Sequence, residues 1–157
     1  MNMANVAFKF VGVDPQDTAM FRCDGDTKQS VKMVVDEKPG FPCRVSLKEA
    51  EIGEAVWLTN YKHLNIDSPY AASHAVFVSE GKEIAELEPG EIPEIVEHYL
   101  VSVRAFDREG FMVDADVAKG HEDVRRLLDR FFTERLVNEV HVHTARRGCF
   151  LARAIRC

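Results

Sequence analysis

The sequence predicts one α+β domain spanning residues 1–157, with a mainly antiparallel or mixed sheet and two main helices packed on it. Three observations lead there. Two segments read as β-hairpins late in the chain. One stretch, Glu122 to Glu134, has a clear helical period. Helices that could serve as crossovers between parallel strands are few, which favours antiparallel pairing.

The elements follow in order. Val6 to Val13 alternates as a first strand, and Asp14-Pro15 ends it and opens a short helix through Met20 and Phe21. Asp24-Gly25-Asp26 is a turn signal, and Val31 to Val35 is a short strand. Lys38 to Pro42 holds two prolines and reads as a loop. Ser46 to Ala50 reads as one helical turn, with Ser46 as N-cap and Glu49 at the capping-box position. Ala55 to Tyr61 and Ala75 to Ser79 are strands joined by a polar loop containing Ser68-Pro69-Tyr70. Pro93 opens a helix running to about Leu100, because proline suits the first helical position. Val101 to Phe106 and Phe111 to Val117 bracket Asp107-Arg108-Glu109-Gly110, a hairpin turn with glycine at the left-handed position. In the helix of residues 122–134, Val124, Leu127, Leu128, Phe131 and Phe132 recur on one face, and this stripe is read as core. Val140 to Thr144 and Cys149 to Ile155 close the chain as a second hairpin around Arg146-Arg147-Gly148.

The composition excludes several classes. With 46% hydrophobic and 29% charged residues the chain is a folding sequence, not a disordered one. No apolar run approaches the roughly 20 residues a membrane helix needs, and no signal peptide is legible, so a cytoplasmic protein with reduced cysteines is expected. The net charge of −6 argues against a nucleic-acid partner. Charge is unevenly placed. Residues 1–100 hold 9 Lys and Arg against 17 Asp and Glu, whereas residues 101–157 hold 11 against 9. From Val140 onward there are four arginines and no acid.

Candidate chemistry concentrates in His141-Val142-His143-Thr144-Ala145-Arg146-Arg147-Gly148-Cys149. Residues two apart on a strand share a face, so His141 and His143 stand side by side with Val140 and Val142 opposite. The short connection from the preceding helix turns the valine face toward that helix and the histidines toward the other, open side. Whether Cys149 joins them depends on the turn: a three-residue loop puts the thiol on the histidine face, and a two- or four-residue loop puts it on the other. Cys43, beside Arg44 in a loop, is the second thiol, and an adjacent guanidinium favours a thiolate. Together Cys43, His141, His143 and Cys149 have the composition of a Cys₂His₂ zinc site, although no C-x₂-C or H-x₃-H pair is present.

Two functions of different class follow. The first is a binding module for a small anionic ligand, using Arg44, Tyr70, Arg104, His141, His143, Arg146 and Arg147, since arginine forks and a chargeable histidine suit a carboxylate or phosphate. The second is a metal- or thiol-dependent enzyme built on the His/Cys cluster. A purely structural role, or a homo-oligomer using the C-terminal hairpin edge, is a third expectation. Asp107 is read as a turn-forming residue and Tyr70 as a ring that packs over its loop.

The segments Gly40-Phe41-Pro42-Cys43-Arg44-Val45-Ser46-Leu47, Ser68-Pro69-Tyr70, Arg104-Ala105-Phe106-Asp107, Val140-His141-Val142-His143 and Gly148-Cys149-Phe150 carry a resemblance. In that order the chain resembles an uncharacterised bacterial family, domain of unknown function 1203. The resemblance implies no activity, cofactor or catalytic residue. It implies that Cys43, Arg44, Tyr70, Arg104, Asp107, His141, His143 and Cys149 belong to the family pattern. One departure is visible: where that pattern has a Gly-Pro pair, this chain has His74-Ala75.

Overall fold

A computed structural model describes residues 8–18 and 29–157. The fold is rich in sheet. Ten strands form two five-stranded sheets rather than the one sheet expected. The first sheet has the order β1-β10-β9-β7-β8 and the second β2-β5-β6-β3-β4. The strands are β1 (Phe8–Val11), β2 (Ser30–Val34), β3 (Pro42–Cys43), β4 (Lys48–Glu49), β5 (Ala55–Leu64), β6 (Ala72–Ser79), β7 (Leu100–Phe106), β8 (Met112–Lys119), β9 (Glu139–Thr144) and β10 (Phe150–Arg156). All pairings are antiparallel except β3 with β6. Among the described residues Gln16 to Thr18 are helical, and the helices with both ends described are α1 (Glu94–Glu97) and α2 (Gly120–Thr133). No helix of the described residues is long and apolar enough to cross a membrane.

Three expectations are corrected. Among the described residues one helix is long, because α1 is a single turn: after it buries Ile95 and Val96, the chain turns at His98 and enters β7 at Leu100. Ser46 to Ala50 is not helical. Residues 44–47 are a tight turn closing the β3–β4 hairpin, with Leu47 in the left-handed region at φ 58° and its N–H donating to the Cys43 carbonyl. The third correction is the second sheet itself. The readings for Met20, Phe21 and Asp24-Gly25-Asp26 lie outside the described residues.

The late elements form as their residues dictate. In the β7–β8 turn Asp107 accepts from the N–H groups of Glu109 and Phe111, and Gly110 takes φ +81°. A side chain at Gly110 would collide with Ile66, since a Cβ there meets Cγ2 at 2.3 Å. Helix α2 buries the five residues of its stripe, Val124, Leu127, Leu128, Phe131 and Phe132. They pack on Phe8, Phe10, Val103, Val140, Val142 and Ala154 of the first sheet. Each such side chain, taken from water, stabilises the fold by roughly 1.5–3 kcal/mol before entropy is counted. Arg156 finishes the helix: its guanidinium donates to the carbonyl of Phe132, in the last turn that otherwise leaves carbonyls without partners, and to those of Glu134 and Val137 just beyond.

The helix thus covers one face of the first sheet. The other face carries Ser102, Arg104, His141, His143 and Phe150, by the pairings Arg104↔His141, Ser102↔His143 and Phe150↔His143. This face meets the second sheet, whose facing residues include Trp57, Tyr61, His74, Val76 and Val78. The candidate site lies between these two layers.

Candidate metal centre

The valine face of β9 points to the helix, as expected, and the histidine face points away from it. That face is not open, however. His141 and His143 are both fully buried, because the second sheet closes over them. It brings two further histidines. His63 on β5 is buried, and His74 on β6, opposite Tyr61, is half-buried. His63, His74 and His143 each offer one ring nitrogen, and these atoms all lie within 4.8 Å of one another. Rings of Phe150 and Phe106 line the cluster: Phe150 stacks on His63 at 5.1 Å and Phe106 lies 5.0 Å from His141.

The hydrogen bonds assign the tautomers. Nδ1 of His143 lies 3.0 Å from the Gly148 carbonyl, which can only accept, so this nitrogen carries the proton and Nε2 keeps its lone pair. Nε2 of His141 lies 3.0 Å from a Glu139 carboxylate oxygen, so it too is a donor. In a neutral His141 ring Nδ1 is then an acceptor, and it receives the Nδ1–H of His63 at 2.9 Å. His63 is left with a bare Nε2. Both bare nitrogens, His63 Nε2 and His143 Nε2, are buried without a protein partner, as is His74 Nδ1. An unpartnered buried polar atom costs about 1–3 kcal/mol, and three converging in one cluster ask for a shared partner. A metal ion takes imidazole lone pairs whose opposite N–H is held by an acceptor; at His143 that acceptor is the Gly148 carbonyl, and at His63 it is the His141 ring, itself held by Glu139. Tetrahedral bonds of about 2.0–2.1 Å to nitrogen need ligand atoms closer than 4.8 Å, so the rings would have to draw in by under about 1 Å to hold an ion.

The electrostatics favour neutral rings at His63, His74 and His143. Burial pushes His143 down to about 3, with Arg104 and the neighbouring His74 and His141 adding to it against the opposing pull of the Gly148 carbonyl. Burial also lowers His63, reinforced by His143, His141, His74 and Arg104. His74 is lowered by burial, then by Arg104 and Arg44. Burial raises the Glu139 carboxyl, but the hydrogen bond from His141 and the attraction of His141 and Arg153 outweigh it and hold it below the carboxylate norm.

The histidine shifts give a signed prediction for the metal-free protein. Above about pH 6.5 these rings are neutral in both folded and unfolded chains. As pH falls from there toward 3, the unfolded chain takes up protons that the folded cluster refuses, so stability falls. Urea midpoints of chelator-treated protein should drop between pH 7.5 and 4.5, and His143→Gln should lose part of that dependence. An unchanged slope in the variant would mean that His143 is not the group responsible.

A family model described as a protein of unknown function, DUF1203, matches residues 40–156. The chain belongs to the DUF1203 family. No curated protein and no solved structure matches it. Every residue of the cluster falls within the DUF1203 segment.

The other residues singled out in the DUF1203 sequence are placed as follows. Cys43, His141, His143 and Cys149 do not converge as a ligand set, which corrects the Cys₂His₂ reading. Thr144 and Cys149 close the β9–β10 turn by the Cys149 carbonyl accepting from Thr144, making a four-residue loop, the alternative that turns the thiol away from the histidines. Cys43 is buried against Ser79, whose N–H donates to its sulfur at 3.3 Å. Burial raises this thiol, but hydrogen bonds from Ser46 and Ser79 more than offset it and leave it lowered. Cys43 borders a cleft of about 510 Å³ that no histidine lines, so a Cys–His catalytic pair is not assembled there. Cys43, Cys149 and Cys157 are free thiols.

The expected arginine cluster disperses. Arg146 and Arg147 are exposed on the turn, Arg153 pairs with Glu139, and Arg156 is committed to the end of α2. Arg44 is buried, donating from Nε to the Phe150 carbonyl at 2.8 Å and from Nη1 to the Pro42 carbonyl at 2.6 Å. Burial lowers it to about 10, with Cys149, Tyr99, Cys43 and Glu49 opposing. It ties the β3–β4 hairpin to β10. Tyr70 is exposed and packs edge-on against Phe106 and Phe111, as a loop ring does. Arg104 shares the histidine face of the first sheet, across from His141. His63 and His74 were absent from the sequence-derived set; the one sequence signal was the His74-Ala75 departure.

Proposed function

We propose that the protein binds a single divalent metal ion, zinc by donor chemistry, through His63, His74 and His143. One observation carries this: three neutral imidazoles from both sheets converge, and each has a buried ring nitrogen without a partner. Imidazole suits zinc and also copper, nickel and iron. Three protein ligands leave a fourth position open, the arrangement of a catalytic rather than a structural zinc site. An ion held this way polarises a bound oxygen or lowers the pKa of a bound water, so metal-assisted hydrolysis or hydration is the reaction class that the donor set favours. Glu139 and His141 would act on the ion only through His63, as positioning residues.

Untagged protein dialysed against zinc and then against buffer should retain close to one ion per chain by elemental analysis, and its thermal midpoint should rise over chelated protein. Less than about a tenth of an ion per chain, with no thermal shift from zinc, cobalt or nickel, would reject the proposal.

A further inference from the structure

The charge around the three imidazoles is one-sided. None of the three ligands is an anion, so a bound divalent ion would keep its full charge. Arg104 stands beside them on β7, directly across from His141 on the same face of the sheet. Its Nε donates to Ser102 at 3.0 Å, and among the described residues no carboxylate pairs with it, whereas Arg126, Arg130 and Arg153 each have an acidic partner. Arg104 is only half-buried, but burial still lowers its pKa, and its charge depresses all three histidines. Buried Arg44 adds to the field at His74. The acid closest to the cluster by hydrogen bonding, Glu139, is already engaged by His141 and Arg153. A divalent ion in a buried pocket beside a guanidinium that no carboxylate neutralises favours a counter-charge. His74 and Arg104 are the half-exposed members of the group, and a cavity of about 680 Å³ reaches the cluster at His63 and Glu139.

From this charge balance we infer that the centre takes a small oxyanion, a carboxylate or phosphate group, with one oxygen on the metal and another on the terminal nitrogens of Arg104. The inference rests on the metal reading above and deepens it by naming the ligand class. A planar guanidinium presents two parallel N–H groups and suits an oxyanion better than an ammonium does. Arg104 is thus a binding residue for the anion and not for the metal.

Cobalt-loaded full-length protein makes the two readings separable, because the visible bands of cobalt report its ligands. Acetate and inorganic phosphate are titrated in turn into wild type, Arg104→Met and Arg104→Lys, with cobalt affinity measured in each. The wild-type spectrum is expected to change on adding at least one anion, and the tighter anion identifies the group. Arg104→Met should weaken anion binding at least about ten-fold, as loss of a charge-assisted hydrogen bond does, while cobalt affinity is not weakened and, with the repelling charge gone, is equal or tighter. Arg104→Lys should fall between the two and guards against a folding defect in the methionine variant. Cobalt bound with no spectral response to either anion overturns the inference and leaves the metal site standing, and so does equal anion affinity in all three proteins. Failure of the wild type to bind cobalt overturns both.

Discussion

Alanine at His143 is expected to weaken metal binding by more than about 100-fold. That exceeds the 10–100-fold typical of losing a partner behind a ligand, because here the ligand itself goes. His141→Gln should fall within that smaller range: it leaves every ligand in place but removes the ring that holds Nδ1–H of His63 and so aims Nε2. Competition with a chromophoric chelator orders the three proteins. The expected order is wild type, then His141→Gln, then His143→Ala. A His143→Ala protein as tight as His141→Gln would mean that His143 is not a ligand. Because a bound ion stabilises the fold by mass action, the gain in thermal midpoint on adding zinc should follow the same order.

Phe131→Ala is expected to destabilise the protein by about 3–5 kcal/mol, the range for emptying a fully buried aromatic site. Phe131 is 1% exposed and sits in the largest apolar cluster, between α2 and the first sheet. For a chain of this length that loss corresponds to a fall in thermal midpoint of roughly 6–20 °C. Leu136 is the control, since it is 62% exposed and its alanine variant should change stability by under about 0.5 kcal/mol. Denaturant midpoints measure both. Equal costs at the two positions would contradict the packing of α2.

These two predictions differ in how readily the sequence foretells them. The stripe of Val124, Leu127, Leu128, Phe131 and Phe132 is local: the helical period puts the five residues on one face, and that face is buried. The β7–β8 and β9–β10 hairpins are local in the same way. The shared face of His141 and His143 also follows from alternation. What covers that face does not. The second sheet reaches it through β5 and β6, some 70 residues earlier in the chain, and no spacing rule relates His63 or His74 to His143. The parallel pairing of β3 with β6 is equally non-local. Proximity in sequence misleads in the opposite direction too. Arg146 and Arg147 are near the histidines along the chain but exposed at the tip of a turn, while Arg104, 37 positions before His141, is its direct cross-strand neighbour. Ser46 to Ala50 carries a helix-capping pattern, yet the Cys43–Leu47 hydrogen bond and the pairing of Lys48 with Cys43 hold it as a hairpin.

The carbonyl that orients His143 belongs to Gly148, on the β9–β10 turn, where φ is +75°. The aim of a buried imidazole is therefore set by the backbone of a surface loop. Surface turns ordinarily accept insertions and deletions freely. This one does not have that latitude: one residue more or less would swing the Gly148 oxygen off Nδ1 and release the ring to rotate or to change tautomer. The exposed segment around Arg146 and Arg147 thus works as a gauge block, its length holding a tolerance deep inside the molecule.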